Sequence, residues 1–185
     1  MSTFLVMKKT KNITISKLDA ARRQLETAIR LYFANGDPVS IHTLAAAAYN
    51  IVKDVNKNRG GTPLFLKEEF LDYIKEGHEK EVRKLINAAE NFFKHADYDH
   101  DAIFDFNPGH SEMLIHEACR VFQRLTGEQS FLFKLFQIWF ATNNPLLFRL
   151  PEEYKRILES IAAEFPYSSR EIFFAEALPL VLKPF

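Results

Sequence analysis

Cysteine is nearly absent from this 185-residue chain: Cys119 is the only one. An intrachain disulfide and a cysteine-based zinc cluster are thereby excluded, and the composition suits a reducing cytoplasm. Charge imbalance is absent too. Lys plus Arg and Asp plus Glu each number 24, so the chain lacks the strongly basic balance of many nucleic-acid-binding domains, although a local basic face remains open. Glycine is sparse, at 6 residues. No phosphate-cradling glycine pattern and no G-x-S-x-G turn occurs, and no cofactor is implied. No apolar run approaches the ~20 residues that span a bilayer. At the start, Phe4 to Met7 precede Lys8, Lys9 and Lys11, the reverse of the order in a secretory signal. The expectation is a soluble cytoplasmic protein with no membrane partner, residues 1–15 being flexible or lightly docked.

Strand alternation is missing as well, whereas helix punctuation is plentiful. Ser16 with Asp19 resembles a capping box, and Leu18, Ala21, Leu25, Ala28, Ile29, Tyr32 and Phe33 follow at helical spacing. Asn35-Gly36 ends that helix and Asp37-Pro38 starts the next, with Asp as N-cap and Pro at the first helical position. Its apolar stripe runs from Ile41 to Val55, and the alanines 45–48 would let another helix come close. Arg59-Gly60-Gly61 marks a loop and the best candidate hinge. Thr62-Pro63 predicts a helix to about Glu76, and a further helix carries Val82, Leu85, Ile86, Ala89, Phe92 and Phe93 on one face. After a loop over 96–107, helices are predicted near 108–126, 130–142, 151–164 and 169–182. The sum is an all-α bundle of about eight helices forming one domain over 16–185.

Phenylalanine is abundant, at 18 residues, and crowds the C-terminal half from Phe131 to Phe174. A bulky aromatic core accounts for this. The alternative is a carrier for a hydrophobic ligand built on the Phe-rich helices.

Polar chemistry concentrates between His95 and His116, which bound a window holding four of the six histidines. Asp97-Tyr98-Asp99-His100-Asp101 looks like the start of a calcium loop. That loop requires Gly at its sixth position and Glu at its twelfth, where Ala102 and Pro108 stand. Asp97, Asp99, His110, Glu112 and His116 remain an alternative metal set of another geometry, without any recognised ligand spacing. A solvated acidic loop explains the same residues. Arg22 and Arg30 lie two turns apart on the first helix, a stripe able to track phosphates or simply to face water.

The segment from Leu18 to Val55, KLDAARRQLETAIRLYFANGDPVSIHTLAAAAYNIVKDV with its preceding lysine, resembles HEPN-type helical domains. In these, two long antiparallel helices joined by a short turn begin a small bundle, and a late motif reads Arg, a polar residue, three residues and His. The resemblance spans residues 16–105. Glu90-Asn91-Phe92-Phe93-Lys94-His95 matches at Asn91 and His95, with Glu90 in the place of the arginine. For active members the resemblance implies RNA cleavage across a homodimer interface, which makes His95 and Asn91 the catalytic candidates here. Arginine would attract the scissile phosphate where glutamate repels it, and Lys94 is the nearest substitute cation. The resemblance therefore implies a non-catalytic or weakly catalytic, homo-oligomeric binding module for RNA, a nucleotide or a protein partner, with Arg22, Arg30 and Lys94 as binding candidates. The enzyme alternative is a ribonuclease or a metal-dependent hydrolase using His95 and the 95–116 cluster.

Overall fold

The computed structural model describes residues 12–128 and 130–181. Most of the N-terminal segment read as flexible or lightly docked lies outside them. The fold is all-α. Among the described residues there are nine α-helical segments and no strand, and no helix is long and apolar enough to cross a membrane.

Helix α1 (Lys17–Phe33) starts where expected, the Ser16 hydroxyl accepting from the Asp19 N–H at 3.0 Å. It ends with Asn35 at φ 49 and the Gly36 N–H bonded to the Leu31 carbonyl at 2.8 Å, a closure that satisfies carbonyls of the last turn. Asp37 then caps α2 (Pro38–Asn58) by accepting from the Ser40 N–H at 2.7 Å. At the far end of α2 the Gly61 N–H returns to the Asn56 carbonyl at 2.9 Å, with Gly60 at φ 69.

The Gly60-Gly61 turn is held by side-chain contacts. The buried Asn56 amide donates to the Thr62 carbonyl at 2.7 Å and accepts from Arg124 at 3.0 Å, pinning the turn. A Cβ on Gly61 would fall 2.1 Å from the Asn56 Oδ1.

Two predicted helices are broken. Instead of a helix from Thr62 to Glu76, a π-helical turn (Phe65–Glu69) runs into the single turn α3 (Phe70–Asp72). Thr62 is not its cap. The Glu117 carboxylate, 52 residues on, accepts the Phe65 N–H at 2.5 Å and the Leu66 N–H at 3.1 Å. The next helix divides into α4 (Glu79–Ile86) and α5 (Ala88–Lys94). Asn87 makes the break, its side-chain amide donating to the Arg83 carbonyl at 2.8 Å, the local competition by which Asn interrupts helices. Leu85, assigned to a buried face, is 74% exposed.

Helix α6 (His110–Thr126) packs against α1 and α2, where Ala28, Ala45, Ala46, Ala48 and Ala118 are buried and permit close approach. Helix α7 (Phe131–Asn143) adds Phe133, Phe136, Trp139 and Phe140 to this core. The Trp139 indole donates to the Tyr32 hydroxyl at 3.0 Å, as a buried N–H requires. Helices α8 (Glu152–Glu164) and α9 (Arg170–Val181) close over α7, the rings of Phe173 and Phe174 lying 6.0 and 4.8 Å from that of Phe33. The buried C-terminal phenylalanines are core.

Candidate functional site

The broken helices leave an opening. The π-helical turn and α3 on one side, α4 and α5 on another, and the segment 104–114 on a third enclose a cleft of about 520 Å³. Phe65, Phe70, Leu85, Ala89, Phe104 and Met113 are among the apolar side chains that line it. Phe65, Phe70 and Leu85 all expose substantial apolar surface. Four polar residues join the lining: His42, Asp105, Asn107 and His110. A largely apolar, concave surface with a few convergent polar groups is the ordinary form of a small-molecule site.

His42 is the buried polar group of the cleft, 3% exposed. Its Nδ1 lies 3.1 Å from the Ser111 Oγ, and the rings of Phe93 and Phe106 meet it edge-on at 5.7 and 5.1 Å. Among the described residues its Nε2 has no hydrogen-bond partner. Burial pushes the imidazole down to about 4, the Glu90 carboxylate opposing this and Lys67, His110 and Lys94 reinforcing it. His42 is therefore neutral at pH 7. Sequence pattern hid this residue: it sits on α2 as one more position of an apolar stripe.

The motif-like segment on α5 is built differently from what the family pattern implies. Glu90 is buried and faces α2 and the π-helical turn. Lys67 donates to it at 2.7 Å, Lys94 at 2.6 Å and the Asn50 amide at 2.5 Å. Lys67 also donates to the Asn50 side-chain Oδ1 at 3.1 Å. Burial alone would raise the Glu90 carboxyl, but the hydrogen bonds from Lys67 and Lys94 bring it down to about 2. Burial lowers Lys67, which Glu90 partly counters. Glutamate at this position thus completes a buried charge cluster that ties α5 to its neighbours.

Asn91 and His95 are exposed at the end of α5, and the His95 N–H closes the helix onto the Asn91 carbonyl at 3.0 Å. Lys94, next to them, is committed to Glu90. Arg22 pairs with Asp19 at 3.0 Å and Arg30 with Glu26 at 3.8 Å, both within α1.

The 95–116 cluster does not converge. Asp97 and Asp99 are exposed in the loop, His110 borders the cleft, and Glu112 accepts from the Tyr167 hydroxyl. His116 stacks on Phe140 with ring centroids 4.4 Å apart, and burial lowers its imidazole to about 4. Among the described residues no three His, Cys, Asp or Glu side chains are grouped to hold a metal. Cys119 is buried and its thiol is pushed well up by burial, away from the reactive thiolate.

Comparisons with family models, with curated proteins and with solved structures return no match.

Proposed function

We propose that this chain is a non-catalytic binding module whose ligand is a small, predominantly apolar molecule taken into the cleft between the π-helical turn, α4, α5 and α6. The observation that carries the reading is the cleft itself: about 520 Å³, lined mainly by apolar side chains, and within the size range of small-molecule sites. It moves the hydrophobic-ligand idea from the C-terminal phenylalanines to Phe65, Phe70, Phe104 and Met113. A cytoplasmic setting belongs to the same proposal, supported by a single, buried, unpaired cysteine.

The test is titration with the apolar fluorophore N-phenyl-1-naphthylamine. Saturable enhancement at one probe per chain is expected, with loss in Leu85→Glu, which places a charge at the mouth without disturbing buried core. Absence of saturable binding, or binding unchanged in Leu85→Glu, contradicts the reading.

A second reading follows from the HEPN resemblance: RNA or nucleotide recognition at the end of α5 by a homo-oligomer. What favours it is the adjacency of exposed Asn91, Lys94 and His95. Exposed Leu146, Leu147, Tyr154 and Ile157 offer apolar surface for self-association. A salt-dependent affinity for RNA, weakened by His95→Ala, would support this reading over the first.

A further inference from the structure

Resting on the apolar-ligand reading, the chemistry of the lining narrows the ligand's polar end. Among the described residues no Lys or Arg lines the cleft, and Asp105 is its one carboxylate. A carboxylate or phosphate entering there would lose water, find no counter-charge, and meet the negative charge of Asp105. Lys67 cannot substitute, since it is buried against Glu90 and Asn50.

The buried polar group offered to a ligand is the His42 imidazole. Its Nδ1 is occupied by Ser111, so one ring nitrogen remains. Which nitrogen carries the proton depends on the direction of the Ser111 hydroxyl. A hydroxyl on the ligand fits both outcomes, because it donates to a bare nitrogen and accepts from an N–H. A carboxylate fits only one of them and brings the charge that the cleft opposes.

We infer that the cleft selects an apolar ligand ending in an uncharged hydroxyl, bound at His42 Nε2, over the carboxylate of equal chain length. The class is that of medium-chain or cyclic alcohols.

Displacement of N-phenyl-1-naphthylamine by 1-decanol and by decanoate at pH 7.5 tests this. Half-displacement by decanol is expected at a concentration about tenfold or more below that of decanoate. His42→Phe is expected to weaken decanol about fivefold relative to the fluorophore, whose own affinity is measured on the same variant. Asp105→Lys, at an exposed position, is expected to strengthen decanoate about tenfold relative to decanol. Decanoate displacing as well as decanol from the wild type, or no response of decanoate to Asp105→Lys, overturns the inference while leaving the cleft reading intact. Failure of the fluorophore to bind at all removes the cleft reading, and this inference with it.

Discussion

Lys67 Nζ lies 2.7 Å from Glu90 Oε2, both side chains buried, where the HEPN pattern would place an arginine in the glutamate's position. The charge there is the reverse of what phosphate chemistry needs, and it is the one the neighbouring lysines require. Placing an arginine at this position should therefore damage the fold before it confers activity.

Glu90→Arg sets a third cation against Lys67 and Lys94. Removing one partner of a buried ion pair typically costs about 3–5 kcal/mol, and reversing its sign costs at least as much. Urea denaturation followed by far-UV circular dichroism should show a loss of that size, and a ribonuclease assay of the variant should show no gain. An unchanged midpoint would mean that the cluster contributes little.

Stability should fall on acidification in two windows. His42 and His116 titrate at about 4 in the folded protein against 6.5 when unconstrained. Both pKa values are depressed, so the stability associated with neutral imidazoles is complete above pH 6.5 and lost as pH falls towards 4, at about 3 kcal/mol each. Around His42 stand Glu90, Lys67, His110 and Lys94; Arg120 acts on His116. Glu90 follows in the lower window, between 4.5 and about 2. Unfolding midpoints measured from pH 8 to 2 should decline through both windows for the wild type, and a His42→Phe/His116→Phe double variant should flatten only the upper one.

Tyr32→Phe removes the acceptor of the Trp139 indole N–H inside the core. Leaving that donor unpaired should cost about 1–3 kcal/mol in thermal or urea unfolding. A loss below the error of the measurement would place a buried water or another acceptor at that nitrogen.

Gly61→Ala should destabilise, because the new Cβ falls 2.1 Å from Asn56 Oδ1 and would displace the amide that holds Thr62 and Arg124. Increased protease cleavage near residue 61 is the expected signature. Retained resistance would mean that the Asn56 amide does not hold this turn.

Sequence reading succeeded where the deciding contact is local. Ser16, Asp37 and Asn35-Gly36 each act on backbone within a few residues, and all stand at helix ends as expected. It failed where the partner is distant. Glu117 caps Phe65 and Leu66 from 52 and 51 residues away, and Glu90 is held by Asn50 and Lys67 at separations of 40 and 23. Helical periodicity counted Leu85 as buried, yet the break at Asn87 leaves it at the cleft mouth. The cleft draws on residues 42 to 114, none of which forms a contiguous motif. Histidine in an apolar stripe carries no mark that separates a core residue from a ligand-facing one.

The central claim is that the cleft around Met113 holds an apolar ligand. The chain has 3 methionines, so methyl-13C-methionine labelling yields a spectrum in which Met113 is assigned by its loss in Met113→Leu. On titration with 1-decanol, the Met113 methyl resonance should shift saturably, and the shift should vanish in Leu85→Glu. A Met113 resonance that stays fixed throughout the titration would contradict the account.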